Sequence, residues 1–169
     1  ETAIAWAAAL TNKDRPTALL LSRQNLPALP KGDMGNISRG AYVLSEPADA
    51  GLDKPAQIVL IATGSEVDLA LKAQALLAQR KVAARVVSMP SATTFDRQGD
   101  AYKRAVLLPR KPRVAVEMAS TAAWWKYGVS AVIGIDTFGE SAPAPVLFKH
   151  FGFTPENVAA QALAVLKKR

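Results

Sequence analysis

Hydrophobic positions along the chain fall into short continuous runs separated by longer amphipathic stretches. Continuous apolar runs are typical of strands that are covered on both faces, and the stretches between them have helical spacing. The pattern predicts strands at 41–45, 57–63, 82–88, 113–118 and 132–135. It predicts helices at 66–79, 98–108, 119–127, 143–151 and 155–168. This alternation favours a three-layer α/β/α fold around a mostly parallel, mixed sheet of about five strands.

The first 40 residues have a different pattern. Residues 1–12 carry apolar positions at helical spacing, and residues 17–22 form a short apolar run with turn-rich flanks, which predicts a strand. Residues 25–40 are interrupted by proline and glycine, which is typical of a linker. We therefore expect a first segment at 1–24, a linker at 25–40 and a main domain at 41–169.

Composition narrows the class of protein. The chain has 169 residues, of which 50% are hydrophobic and 21% charged, enough for one well-buried domain. The net charge is +7, and the basic residues are scattered apart from two groups, Arg110 with Lys111 and Arg113, and Lys167 to Arg169 at the end. We interpret this as surface charge and expect no nucleic-acid partner. No apolar run approaches the roughly 20 residues that span a membrane, so no membrane association is expected. Because the chain begins at Glu1 without methionine, it is interpreted as a piece of a longer polypeptide.

Candidate catalytic side chains are scarce. Cysteine is absent, and His150 is the one histidine. It falls late in a predicted helix, where a surface or interface position is expected. Nucleophilic triads and zinc sites therefore lack the residues they need, and no carboxylate spacing matches a calcium loop.

The segment Thr63-Gly64-Ser65-Glu66 joins a predicted strand to a predicted helix. Unpaired N–H groups at a helix start can bind an anion, which makes Gly64 and Ser65 a possible anion loop. Ser65 can equally serve as a plain helix cap, and the charge of Glu66 opposes a bound anion. Both interpretations stay open, with the cap favoured.

An aromatic group at Trp124, Trp125 and Tyr127 also has two interpretations. Packing or a subunit interface is favoured, and a stacking site for a ring is the alternative.

Several longer strings together resemble one family. They are L-S-R-Q-N-L-P at 21–27, A-T-G-S-E-V at 62–67, V-S-M-P-S at 87–91, and F-G-E-S-A-P at 138–143. These strings are similar to transketolase, and the resemblance extends over nearly the whole chain. It implies that residues 1–24 end a pyrimidine-binding domain and that residues 41–169 form the C-terminal domain.

The resemblance also implies a function for the parent enzyme. Transketolases use thiamine diphosphate with Mg²⁺ or Ca²⁺ to transfer a two-carbon ketol unit between sugar phosphates in the pentose phosphate pathway. The parent is accordingly expected to be a cytoplasmic homodimer. Dihydroxyacetone synthase shares much of the pattern and is the alternative within the family.

The resemblance assigns one binding residue to this chain. Arg23 matches the arginine that binds the substrate phosphate in transketolases, with Ser22 and Gln24 in support, whereas Glu117 and the 138–143 string are assigned to domain architecture. The metal-binding motif and the catalytic glutamate and histidines of the family are missing, so no catalytic residue, metal ligand or bound cofactor is expected here. The chain alone is expected to be inactive. Two other classes stay open, a stand-alone anion- or nucleotide-binding module and a dimerisation or interaction domain.

Overall fold

A five-stranded sheet organises the computed structural model, which describes residues 1–29 and 34–168. The strands are β1 (Tyr42–Ser45), β2 (Ile58–Ala62), β3 (Ala84–Ser88), β4 (Arg113–Val116) and β5 (Ala131–Ile133). They lie in the order β1-β3-β2-β4-β5, with β1 antiparallel to β3 and the other pairs parallel. The predicted mixed, mostly parallel sheet is confirmed.

The helices of the described residues connect these strands. They are α1 (Thr2–Thr11), α2 (Met34–Ile37), α3 (Glu66–Gln79), α4 (Ala92–Asp96), α5 (Asp100–Leu107), α6 (Ala144–His150) and α7 (Pro155–Lys167), with 3₁₀ helices at Pro47–Ala50 and Thr121–Tyr127. Within residues 1–29 and 34–168, no helix combines the length and the apolar character needed to cross a bilayer.

Two apolar cores lie on opposite faces of the sheet. Alternate side chains of β2 point to opposite faces of the sheet. Ile58 and Leu60 therefore pack under α3 and α7, whereas Val59 and Ile61 pack into a second core on the other face. That second core includes Phe95 from α4. Burial of one such side chain stabilises the fold by about 1.5–3 kcal/mol. Because both faces of the sheet are covered, β2 is an unbroken apolar run in the sequence.

A buried amide joins the sheet to α3. Gln74 is only 3% exposed. Its Oε1 accepts a hydrogen bond from Ser45 Oγ at 2.8 Å, and its Nε2 donates to the carbonyls of Ala84 at 2.8 Å and Glu46 at 3.1 Å. One side chain therefore holds together α3, β3 and the end of β1.

The structure corrects parts of the sequence reading. Residues 17–22 form no strand, because they pair with none of the five strands in the described chain. The predicted helix at 119–127 is the 3₁₀ helix Thr121–Tyr127, and the short helices α2 and α4 were not predicted. Residues 30–33 of the predicted linker, including Pro30 and Gly32, and Arg169 of the terminal basic group lie outside the described residues.

Candidate functional site

A cavity of about 620 Å³ opens between residues 1–29 and the carboxyl edge of the sheet. The loops that follow β2 and β3 form the floor of the cavity, and α1 with residues 17–29 forms its wall. Open α/β sheets bind ligands at this edge, where the order of the strands reverses. Here β3 and β4 lie on opposite sides of β2, so the reversal occurs at β2.

The first residue anchors the wall of the cavity to the sheet. The Glu1 carboxylate accepts hydrogen bonds from Tyr42 Oη at 2.7 Å and from Ser88 Oγ at 2.6 Å. Burial raises the pKa of Tyr42, and the neighbouring Glu1 carboxylate raises it further. The phenol therefore stays a hydrogen-bond donor, and residues 1–29 are held on the carboxyl edge.

Four of the five predicted site residues line this cavity: Ser22, Gln24, Gly64 and Ser65. The structure thus brings the 22–24 segment and the 63–65 loop together, and a Cβ placed on Gly64 would lie 3.5 Å from Ser22 Oγ. Arg23 does not line the cavity. Its side chain is exposed and forms no ion pair with another residue that the structure describes.

The loop after β2 does not form the cap that the sequence favoured. Gly64 has φ +52°, a left-handed conformation that glycine adopts without strain. Ser65 occupies the N-cap position of α3, but its hydroxyl accepts no hydrogen bond from the helix. It donates instead to Glu66 Oε1 at 3.0 Å. The start of α3 therefore carries a carboxylate that opposes an anion.

Glu66 is itself buried, with 3% of its surface exposed. Burial raises the pKa of its carboxyl, while the hydrogen bond from Ser65 opposes that rise. Burial and the Ser65 hydroxyl thus change the pKa of the Glu66 carboxyl in opposite directions.

Glu117 is the residue that the sequence reading undervalued. It directly follows β4, and its Oε2 is buried without a hydrogen-bond partner among the described residues. Burial, aided by the charge of Glu66, raises the pKa of Glu117 to about 7. The available signal was a glutamate at the end of an apolar strand, beside the strand that leads to Glu66.

The aromatic group divides between core and surface. Trp124 and Tyr127 are buried at 7% and 9% exposure, with ring centroids 5.9 Å apart, so packing is confirmed for these two. Trp125 is 53% exposed. His150 is exposed at the end of α6, as predicted.

No cluster of metal-ligand side chains stands out in the part of the chain that the structure describes. In residues 1–29 and 34–168, no group of three or more histidine, aspartate, glutamate or cysteine side chains could hold a metal ion. We assign no catalytic step to a cofactor on this chain.

The sheet order and the cavity define a doubly wound α/β domain with a ligand-type crevice at its carboxyl edge. Residues 40–154 match the profile of the family described as "Transketolase-like TK C-terminal domain". The chain belongs to this family.

Individual relatives extend the match. The chain is 48% identical to transketolase 1 of Escherichia coli K12 over 98% of its own length and 25% of that relative. A transketolase structure from Leishmania mexicana superimposes with a TM-score of 0.89 at 41% identity, over 99% of this chain and 24% of that one. A Pichia stipitis transketolase in complex with sedoheptulose 7-phosphate gives 0.88 at 39% identity, over 98% of this chain and 24% of that one. The chain therefore spans about a quarter of the proteins it resembles.

Proposed function

We propose that this chain is the C-terminal part of a transketolase that transfers a two-carbon ketol unit between sugar phosphates. The observation that carries the proposal is the match of nearly the whole chain to transketolases at 48% identity. Thiamine diphosphate and its Mg²⁺ or Ca²⁺ would be held by the rest of the enzyme and would supply the carbanion chemistry. The parent enzyme would work as a cytoplasmic homodimer.

The role proposed for this chain is to bind the substrate phosphate through Arg23. A guanidinium is a planar, permanently charged fork that matches phosphate oxygens. Arg23 is exposed and has no ion-pair partner among the described residues, so its charge is available to a ligand. Relatives described as complexes with xylulose 5-phosphate and sedoheptulose 7-phosphate support this class of substrate.

Ser22 and Gln24 would hold Arg23 in place. Both line the cavity on either side of Arg23 along the chain. With both neighbours on the cavity, the Arg23 side chain would be left outside it, where it would meet the phosphate of a substrate. We assign them support of the segment and no direct role in the reaction.

The test is Arg23→Ala in the full-length enzyme that contains this chain. A charge-assisted hydrogen bond contributes about 1.5–3 kcal/mol, so we expect KM for sugar phosphates to rise roughly 10- to 150-fold. KM for a substrate without a phosphate should stay unchanged. Arg23→Lys should restore part of the affinity, because it keeps the charge and loses the fork.

Arg80→Ala is the matched control, since Arg80 is an exposed arginine at the end of α3 and does not line the cavity. It should leave both KM values unchanged. If Arg23→Ala leaves KM for sugar phosphates at its original value, the proposed role of Arg23 is wrong.

A second assay addresses the chain by itself. The 169-residue chain is mixed with xylulose 5-phosphate, ribose 5-phosphate, thiamine diphosphate and Mg²⁺, and ketol transfer is measured. We expect no turnover, because the metal-binding motif and the catalytic glutamate and histidines of the family are missing from this chain. Turnover would show that the active site has been placed in the wrong part of the enzyme.

A further inference from the structure

Two carboxyl groups lie beyond the ends of β2 and β4, that of the buried Glu66 and that of Glu117, whose Oε2 is buried. Ala62 of β2 lies opposite Val116 of β4 in the parallel ladder, and Glu117 is the next residue of its strand. After β2 the chain turns through Gly64 and enters α3 at Glu66. The two glutamates are close enough for the charge of Glu66 to act on Glu117.

Within residues 1–29 and 34–168, the pair has no compensating positive charge. Among the described residues, no lysine, arginine or histidine forms an ion pair with either glutamate. The strand β5 beside Glu117 carries only apolar side chains, Ala131, Val132 and Ile133.

Other acidic groups on the surrounding elements, Asp68, Asp136 and Glu156, are paired or exposed. Asp68 on α3 is paired with Lys72 at 2.7 Å. Asp136, which follows β5, accepts hydrogen bonds from Ser120 and Thr121. Glu156, in the first turn of α7, is exposed.

Ionising both carboxyl groups here is unfavourable. A buried charge needs a partner, and a second like charge raises the cost further. Within the part of the chain that the structure describes, Glu117 Oε2 has no hydrogen-bond partner. A bound proton makes one of the two groups neutral, which removes the repulsion and the uncompensated charge.

The pair is connected to the cavity through Ser65. Ser65 Oγ donates to Glu66 Oε1, and Ser65 and Gly64 both line the cavity opposite Ser22. A change in charge at the pair therefore acts on the loop against which the 22–24 segment lies.

We infer that the Glu117 carboxyl keeps its proton up to about neutral pH and that this neutral group, beside Glu66, acts as a pH-sensitive latch that keeps the 63–65 loop in place against residues 22–24. When the pH rises, the proton passes to water and two buried negative charges remain. The loop then loses the arrangement that lines the cavity. This inference concerns the fold alone and does not depend on ketol transfer.

The direction of the pH effect follows from the raised pKa. Burial lifts the pKa of Glu117 from 4.5 to about 7, so the folded chain holds the proton more tightly than the unfolded chain. The stabilisation is complete below the unfolded value and is lost as the pH rises through about 7. Between about pH 5.5 and pH 8.5 the ratio of folded to unfolded chain should fall roughly 10- to 30-fold from this pair.

The first experiment follows the carboxyl carbons of glutamate by ¹³C NMR in the 169-residue chain. We expect one glutamate to titrate with a midpoint near pH 7, and the amides of Gly64 and Ser22 to shift with the same midpoint. Glu66→Gln should lower that midpoint, because it removes the neighbouring charge. If every glutamate titrates below about pH 5.5, or if the two amides do not follow the midpoint, the latch is refuted.

The second experiment measures urea unfolding at the two pH values. Glu117→Gln keeps the shape of the side chain and cannot ionise, so it should abolish most of the fall in the folded ratio. Glu156→Gln is the matched control, because it removes an exposed glutamate, and it should keep the wild-type fall. Equal pH dependence in the wild type and Glu117→Gln would overturn the inference. The wild-type NMR titration decides the matter even if a variant fails to fold.

Discussion

Replacement of Gln74 by methionine tests whether the buried amide holds the sheet to α3. Methionine has a similar length and cannot hydrogen-bond strongly, so the change removes polar contacts without opening a large cavity. The three hydrogen bonds from Ser45 and to Ala84 and Glu46 would all be lost. Ser45 Oγ would keep a longer contact to the Glu46 carbonyl, at 3.3 Å.

The expected loss of stability follows from these contacts. Each net hydrogen bond contributes about 0.5–1.5 kcal/mol, and a buried group left without a partner costs about 1–3 kcal/mol. Burial of the added apolar surface offsets part of the loss. We therefore expect Gln74→Met to lower the free energy of unfolding by about 2–4 kcal/mol.

Urea unfolding followed by circular dichroism measures this effect. With a slope of about 1–3 kcal/mol per molar urea, the midpoint should fall by roughly 0.7–4 M at an unchanged slope. Gln79→Met on the exposed face of α3 is the control and should change stability by at most about 0.5 kcal/mol. Ser45→Ala should cost less in the Gln74→Met background than in the wild type. The reasoning fails if Gln74→Met is no more harmful than Gln79→Met.

Two further predictions concern packing. Gly40→Ala should destabilise the chain by about 3 kcal/mol or more, because φ is +90° and the new Cβ would meet Phe95 N and lie 2.5 Å from Ser91 O. Gly139→Ala, where the new Cβ would lie in open space, should leave the stability unchanged in the same thermal unfolding experiment. Trp124→Ala should lower the free energy of unfolding by about 3–5 kcal/mol because Trp124 is buried in the core. Trp125→Ala should leave the melting temperature nearly unchanged. A larger loss of stability for Trp125→Ala would contradict the assignment of Trp124 to the core and Trp125 to the surface.

The regular part of the fold was predictable because it depends on local patterns. The helix at 66–79 has the predicted bounds, since apolar and polar positions alternate with helical spacing between a glycine turn and the next strand. The strand at 58–62 was equally clear, because both of its faces are covered. Such signals require no knowledge of distant residues.

The predictions that failed are those that depend on contacts with residues far away along the chain. Residues 17–22 have the composition of a strand, but a strand also needs a neighbour that completes its hydrogen-bond ladder, and no described strand lies beside them. Glu117 looked like a residue of domain architecture, because its meaning depends on Glu66, which lies about 50 positions away along the chain and at the end of the adjacent strand. The residues singled out from the sequence thus include four that line the cavity, Ser22, Gln24, Gly64 and Ser65, whereas Arg23 lies outside its lining and the acid pair was not predicted.

The two outer strands determine how this domain can associate. β5 has only three residues, and the pairing of β1 is irregular between Val43 and Ser45. A long, flat outer strand would offer unpaired N–H and C=O groups to another chain, as in fibrils and swapped sheets. Here neither edge offers such a template, so strand addition is disfavoured. Two copies that meet through this domain would do so through side chains, and the sheet would end within each copy.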